Sequence, residues 1–221
     1  MFRNILIGAV MVSCSSCLTS LHQLVTYDKV ITDNRITGQW QQEDNTVFKI
    51  EDLLKSNYYN NTAKASVNGK PTNTGFDSPE DSLLYSSSYV ISFTKSGYDY
   101  TMIASLMRLG TGIYADFIPA AVSKTGSAAT PDIFDGSDYM ISHTVAKIIF
   151  TGGNIEIKFL NNDFVEDQLK KGTLAVKYEN DKLFKTTLVT APSAWIQQFL
   201  IKYGDMERLY SSENTINLKK I

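Results

Sequence analysis

The fold is decided by residues 89–119, which read YVISFTKSGYDYTMIASLMRLGTGIYADFIP. Apolar and aromatic side chains alternate with other residues from Tyr89 to Phe93, and this period of two is typical of a strand with one buried face. Ser96-Gly97 is a tight-turn pair, and residues 98–108 run back after it. The stretch therefore predicts a β-hairpin.

A second turn follows the hairpin directly. Residues 109–112 read Leu-Gly-Thr-Gly and lead into a strand over residues 113–117. The glycines do not indicate a phosphate-binding loop, because no Lys-Ser or Lys-Thr pair follows and the turn joins two strands. Pro119 is predicted to end the strand, since proline has no N–H to donate to the ladder.

The same alternation, in weaker form, marks further strands along the chain. The turn at residues 151–154 separates strands predicted at 139–150 and 155–160, and Asn180-Asp181 is predicted to turn the chain between two more. The remaining predicted strands cover residues 25–31, 174–178, 183–189 and 216–218.

Two helices are predicted, both in the C-terminal part of the chain. An acidic pair three residues apart and a final Lys-Lys-Gly predict a short helix over 164–171. Pro192-Ser193 opens a longer helix, whose apolar residues recur at helical spacing up to Tyr203, before Gly204. One face of this helix is expected to pack on the sheet.

Two polar stretches are predicted to be long loops with little core, at residues 57–88 and 123–138. The second contains Asp132, Asp135 and Asp138, whose oxygens are of the type that binds Ca²⁺. Their spacing does not match the EF-hand loop, so a solvated turn is the preferred interpretation and no metal site is predicted.

The composition is that of an ordinary globular protein. The 221 residues are 43% hydrophobic and 20% charged with a net charge of −2, so a nucleic-acid partner is not expected. The twelve tyrosines and eleven phenylalanines favour strands, because aromatic side chains fit a pleated, half-buried surface. This length suits one large domain.

The N-terminal residues have the layout of a secretory leader. The chain begins MFRNILIGAVMVSCSSC, in which Arg3 precedes an apolar run over residues 5–12 and small residues follow. The run is far shorter than the ~20 apolar residues that a membrane-spanning helix needs. Residues 1–16 are therefore predicted to be a signal peptide.

This leader resembles those of bacterial lipoproteins, which are cut before a cysteine that becomes acylated. Cys17 is the favoured lipidation site, and Cys14 is the alternative, because leucine usually occupies the place that Cys14 holds relative to Cys17. The resemblance implies a lipid anchor in the bacterial cell envelope, with residues 17–35 joining it to a single domain at 36–221. Leu18 and Thr19 favour the outer membrane, since they replace the aspartate that often retains lipoproteins on the inner one.

The chain has only two cysteines, which excludes a disulfide framework, a Cys-ligated zinc site and a cysteine nucleophile within the domain. The alternative to lipidation is a disulfide between Cys14 and Cys17, or two inert thiols in a buried N-terminal helix. Such a disulfide would constrain the chain very little, because the loop that it closes contains only two residues.

Gly38-Gln39-Trp40 resembles the first strand of lipocalin-like barrels, in which the tryptophan plugs one end. A strand tryptophan packed in another β core is the alternative. The predicted fold is mainly β, an antiparallel barrel or half-barrel with one or two short helices near the C-terminus. The order of short motifs also resembles a group of largely uncharacterised bacterial lipoproteins, through residues 15–19, 21–22, 38–40, 109–110 and 114–119.

Few residues are candidates for chemistry. Of the two histidines, His22 lies beside the predicted anchor, and His143 is the candidate base of a hydrolase. Ser142 is a poor nucleophile for it, because neighbours in a strand point to opposite faces. A hydrogen-bonded structural histidine is therefore the preferred interpretation, and no cofactor is predicted.

The candidate ligand-binding residues are Trp40, Tyr100, Tyr114 and His143, although filling a core is the usual role of such aromatic residues. The favoured function is a non-enzymatic module that binds a small apolar ligand or a partner protein at the envelope. The alternatives are a hydrolase that uses His143, and a structural subunit of an envelope assembly whose contacts lie at residues 57–88 and 120–138.

Overall fold

The computed structural model describes residues 18–63, 78–126, 132–133, 142–173, 177–181 and 186–221. Four α-helices occur in these residues: α1 (Asn57–Ala63), α2 (Pro79–Ser86), α3 (Asn162–Lys170) and α4 (Ser193–Tyr203). The strands are β1 (Thr19–Ser20), β2 (Val30–Ile31), β3 (Gly38–Gln41), β4 (Val47–Asp52), β5 (Tyr89–Lys95), β6 (Tyr98–Leu109), β7 (Gly112–Lys124), β8 (Asp132–Ile133), β9 (His143–Thr151), β10 (Asn154–Leu160), β11 (Tyr178–Asp181), β12 (Thr186–Val189) and β13 (Tyr210–Lys220). Single 3-10 turns cover Leu53–Lys55 and Glu207–Leu209.

Eight strands form a closed antiparallel barrel. The order around it is β3, β4, β5, β6, β7, β9, β10, β13 and back to β3, so the chain passes up and down between neighbours. The seam is closed by β7 and β9, in which residues 113–117 pair with residues 144–148. The predicted mainly β fold is confirmed, and the barrel is closed.

Alternation along each strand divides the side chains between two cores. In β7, Ile113, Ala115 and Phe117 point into the barrel, whereas Tyr114 and Asp116 point out of it. The inward side chains form an inner cluster that fills the barrel with large and small residues, as small barrels require. Its buried members are Ile36, Trp40, Phe48, Ile50, Tyr89, Ile91, Ala104, Leu106, Ile113, Ala115, Phe117, Ala146, Ile148, Ile155, Ile157 and Leu218.

A second, outer cluster lies between the barrel wall and the segments that cover it. The wall consists of β6, β7, β9 and β10, and the cover consists of α2, α3, α4 and residues 18–36, here called the strap. The outer cluster buries Leu18, Leu24, Val25, Leu84, Met107, Leu109, Tyr114, Val145, Leu160, Val165, Leu169, Val189, Ala191, Ile196, Phe199, Leu200, Leu209 and Tyr210.

The predicted end of β7 at Pro119 is wrong, since the strand continues to Lys124. Thr101 pairs with Ala121 while Met102 pairs with Pro119, so Ala120 is the extra residue of a β-bulge. On its other edge β7 pairs with β9 only up to Phe117, and with β8 only from Ala121. Proline is tolerated here because no neighbouring strand pairs with it on that side.

The predicted loop at residues 57–88 is wrong at both of its ends, where α1 and α2 form. The signal for α2 was readable, because Ser78 accepts a hydrogen bond from the Asp81 backbone N–H and Pro79 occupies the first helical position. Leu84 is buried, so this stretch does contribute to the core. Residues 64–77 lie outside the described residues.

The two predicted C-terminal helices are confirmed with small changes. Helix α3 starts earlier than predicted, because the Asn161 side chain caps it by accepting from the Phe164 backbone N–H at 3.1 Å. Helix α4 ends at Tyr203, with the Gly204 N–H bonded to the Leu200 carbonyl. Its buried residues Ile196, Phe199 and Leu200 face the barrel wall, as the spacing predicted.

Several strand boundaries differ from those predicted. The strand predicted at 25–31 is reduced to β2, while β1 at Thr19–Ser20 was not predicted. Asn180 and Asp181 lie in β11, paired with Thr187 and Thr186, instead of forming a turn. Much of the predicted 123–138 loop and residues 174–176 lie outside the described residues, while β8 occupies Asp132–Ile133.

Two of the tight hairpin turns have two consecutive residues with positive φ, a conformation that their sequences favour. Gly152 and Gly153 have φ angles of 56° and 87°, and Ser96 and Gly97 have 53° and 81°. Two consecutive left-handed residues form the turn whose twist matches that of the flanking strands. In the described part of the chain, no helix combines the length and apolar character needed to cross a membrane.

Replacing Trp40 with alanine is expected to destabilise the barrel by about 3–5 kcal/mol, because removal of this large side chain would leave a cavity in the inner cluster. Urea unfolding followed by circular dichroism measures the change. Val47→Ala is the matched control on the outer face of β4, where the side chain is 41% exposed and a change within about 0.5 kcal/mol is expected. Equal effects of the two substitutions would contradict a core role for Trp40.

Candidate functional site

The four predicted ligand-binding residues do not form one site. Trp40 belongs to the inner cluster, and Tyr100 pairs with the inward-facing Phe93. Tyr114 and His143 lie on the outside of the barrel, under the covering segments. The barrel wall therefore separates the four residues into two pairs.

Trp40 fills part of the barrel core. Its side chain is 2% exposed, and its indole N–H donates to the Ile36 carbonyl at 2.9 Å. The Lys220 ammonium lies 5.3 Å from the centre of the ring, within the range of a cation–π contact. The strap and the last strand thus meet at this tryptophan.

Tyr100 lies near the turn between β5 and β6, where its ring stacks on Phe93 at 5.1 Å. Phe93 also packs on Phe48, with ring centres 4.8 Å apart. Burial raises the pKa of the Tyr100 hydroxyl, and the neighbouring Tyr98 adds to the shift. These three rings form an aromatic row at the inner face of the barrel.

Tyr114 packs the end of α4 against the outer wall. A side chain at Gly204 would collide with the Tyr114 hydroxyl, so only glycine fits there. The Gly204 carbonyl accepts from the Tyr210 hydroxyl at 2.7 Å and from the Lys147 ammonium at 2.8 Å. Burial, followed by the hydrogen bond with Tyr114, strongly raises the pKa of the Tyr210 hydroxyl, which donates to Gly204.

His143 forms a pair with a carboxylate that the sequence did not single out. Its Nδ1 lies 2.8 Å from Oδ1 of Asp116, which is 5% exposed. The second carboxylate oxygen accepts from the backbone N–H groups of Leu24 at 2.5 Å and Val25 at 3.4 Å. Asp116 therefore joins β7, β9 and the strap, and a buried charge in this position is fully hydrogen-bonded.

A small space of about 30 Å³ lies beside this pair. Its polar lining includes Tyr85 and Ser105, and burial raises the pKa of the Tyr85 hydroxyl, with the carboxylates of Asp81 and Asp116 adding to the shift. The Ser105 hydroxyl lies 2.6 Å from that of Ser88. A space of this size holds about one water molecule.

The geometry of Asp116 and His143 resembles two members of a hydrolase triad. Asp116 is placed to orient His143, as the carboxylate does in a catalytic triad. Ser105 lies directly opposite Asp116 in the ladder, but its hydroxyl is hydrogen-bonded to Ser88. The adjoining space, as the described residues line it, measures about 30 Å³, and the two carboxylate oxygens of Asp116 are engaged by His143 and by the strap.

The strap is fastened at further points along its length. Gln197, buried on α4, donates to the Leu24 carbonyl at 2.9 Å and accepts from the Lys29 ammonium at 2.6 Å. The Asp33 backbone N–H donates to the Tyr89 hydroxyl at 2.7 Å. His22 also lies on the strap and is exposed, and its carbonyl accepts from the Ser20 hydroxyl.

Other spaces lie between the cover and the wall, and on the surface. An apolar space of about 20 Å³ separates α3 and α4 from the wall, with Leu18 in its lining. An open groove of about 590 Å³ runs along the β3–β4 turn, β10 and β13. The groove is lined mainly by amide and charged side chains: Gln41, Gln42, Glu43, Asn45, Asn154, Glu156, Asn217 and Lys219.

Among the described residues, no three His, Cys, Asp or Glu side chains are arranged to hold a metal ion. Asp132 lies in β8, whereas Asp135 and Asp138 lie outside the described residues. Asp116 is the site residue that sequence reasoning missed. Its signal was a charged residue within an otherwise apolar strand at 113–118, on the outward-facing phase of the alternation.

Comparison with known proteins gives no match: neither a family model, nor a curated protein, nor a solved structure is similar to the chain at a significant level.

Replacing Asp116 with alanine is expected to destabilise the protein by about 2–4 kcal/mol, because two buried strap N–H groups and His143 would lose their partner. Hydrogen exchange should show faster exchange of the Leu24 and Val25 amides than of the inner strands. Asp116→Asn, which keeps one acceptor oxygen, should lose less stability than Asp116→Ala. Unchanged exchange at both amides in Asp116→Ala would show that the carboxylate does not hold the strap.

Proposed function

We propose that the chain is a lipid-anchored protein of the bacterial cell envelope, acylated on Cys17, and that it acts by binding a partner protein. The leader motif supports the anchor. The observation that carries the rest is the filled barrel, whose inner cluster is made of buried side chains. Such a barrel is a rigid body that presents surfaces to a partner.

The filled interior favours a partner protein over a small apolar ligand. An eight-stranded barrel is just wide enough to be filled by side chains or to hold one small ligand. Here Trp40, Tyr89 and Leu106 are among the large side chains that are almost completely buried inside. A ligand would have to displace part of this core, at a cost of several kcal/mol.

The hydrolase that uses His143 remains the second candidate, because Asp116 supplies the orienting carboxylate that such a mechanism needs. The one-water space and the hydrogen-bonded Ser105 count against it. The binding function is therefore the stronger proposal.

One wall of the barrel is the best candidate for the contact with a partner. The strap, α2 and α4 all cover the wall formed by β6, β7 and β9. The strap pairs with β6 through β2, and Ser88, just after α2, is hydrogen-bonded to Ser105 on β6. Gly204, at the end of α4, packs on Tyr114 of β7. Each segment also exposes a large apolar side chain: Tyr27 is 46%, Leu83 is 50% and Ile201 is 52% exposed. A contiguous apolar patch marks an interaction surface, and we propose that these three side chains belong to one. Helix α2 lies within residues 57–88, so an assembly subunit would use the same wall.

The mass of the protein, released gently from its own membranes, tests both the lipid anchor and the alternative that the barrel carries a small ligand. Native and denatured spectra should both show the acyl groups on a chain that starts at Cys17, with no further small molecule. An additional mass that is lost on denaturation would contradict the filled barrel and revive the ligand-carrier hypothesis. An unprocessed, unacylated N-terminus would contradict the anchor.

Leu83→Asp and Ile201→Asp are each expected to weaken partner capture about tenfold or more, which corresponds to ~1.4 kcal/mol. Crosslinking on intact cells, followed by identification of the captured protein, measures the effect. Val47→Asp is the matched control, since Val47 is 41% exposed on β4, on the far side of the barrel. Capture of the same protein by all three variants would argue against this wall.

A further inference from the structure

We propose that the side of the domain formed by β1, β11, β12 and α3, which adjoins the partner wall at β9, lies against the bilayer, and that the short tether from Cys17 holds the domain in this one orientation. The partner that this side would contact is a phospholipid surface. The inference rests on the proposed acylation of Cys17, and it adds the position of the domain relative to the membrane.

The first step is the length of the tether. Leu18 is buried in the outer cluster, and Thr19 already pairs with Leu188 of β12 and Thr144 of β9. The acylated Cys17 would therefore be bonded directly to the folded domain, without a linker. Consecutive Cα atoms are 3.8 Å apart, so the lipid attachment point lies within a few ångströms of the barrel cover.

The second step is the rigidity of the first residues. The Ser20 hydroxyl donates to the His22 carbonyl at 2.8 Å, and the Leu21 N–H donates to the Val189 carbonyl at 2.9 Å. Beyond them, Leu24 and Val25 are bonded to the Asp116 carboxylate. The strap therefore cannot detach and serve as a flexible spacer without losing these bonds and the burial of Leu18.

The third step identifies the near and far sides. Glu179 pairs with Leu188, which pairs with Thr19, so two strand spacings, about 10 Å, separate Glu179 from Thr19. On the barrel, β9 and β4 are four strands apart in a ring of eight and so lie on opposite walls. Eight strands about 4.8 Å apart and tilted by about 40° give a barrel roughly 16 Å across, so Lys49 on β4 is farther from the bilayer.

The small space beside Leu18 fits the same arrangement. It is lined by Leu18, by Val165 and Leu169 of α3, and by Trp195 of α4, among other apolar residues. The side of the domain that carries the tether is thus also the side where the apolar outer cluster comes closest to Cys17.

The test is a pair of single-cysteine variants, Glu179→Cys and Lys49→Cys, which replace exposed charged residues on strands. Residues 18–221 contain no cysteine, because both cysteines precede Leu18. Each variant is produced with its acyl anchor, labelled with a fluorophore and placed in phosphatidylcholine vesicles that contain nitroxide-headgroup lipid. Quenching at position 179 should exceed quenching at position 49 by about twofold or more, given the separation of the two walls.

Two controls make the outcomes separable. The parent protein should take up no thiol label; labelling at Cys17, or a missing acyl mass, would contradict the proposed anchor itself. A ten-residue Gly-Ser insertion between Cys17 and Leu18, with a span of roughly 17 Å, should remove the difference between the two positions. Equal quenching in the acylated protein without the insertion, or a difference that persists with it, would overturn the tether-imposed orientation while leaving the anchor intact.

Discussion

The pairing of β7 with β9 is the constraint on which the other features depend. It joins residues 113–117 to residues 144–148 and so turns a meander of strands into a closed barrel. Closure sets which side chains face inwards, placing Ala115 opposite Ala146 where the interior needs small residues. The same register turns Tyr114 and Asp116 outwards, where they become the attachment points for α4 and the strap.

The outer wall thus has a second layer that is unusual for a surface of a barrel. Its cover is held by apolar burial and by a few charged or amide groups, among them the buried side chains of Asp116 and Gln197. Each of these two side chains bonds to the backbone of the strap, so loss of either leaves buried main-chain groups without partners. The His143–Asp116 pair belongs to this layer, where it holds the strap against the barrel.

The strands and C-terminal helices were predictable because their signals are local. Period-two alternation at 89–93 reports directly which side chains join the inner cluster, and helical spacing around Phe199 reports which join the outer one. The prediction that β7 ends at Pro119 was wrong because a β-bulge and an unpaired strand edge allow the strand to continue past the proline. The site was not predictable for a different reason: Asp116 meets Leu24 across 92 residues and His143 across 27, and no pattern within either strand encodes that meeting. Trp40 and Tyr114 were both candidate ligand-binding residues, and the barrel wall stands between them.

The strand partners of Thr19 and Ser20 have a consequence for the order in which the chain is made. These residues pair with His143, Thr144, Leu188 and Val189, all of which are synthesised far later. Until most of the polypeptide has emerged, its first residues have nothing to fold against, because such distant pairing must await the remote segments. Under the proposed export and acylation, the enzyme that cuts before Cys17 would therefore meet an unfolded, accessible peptide, whereas the completed fold buries Leu18.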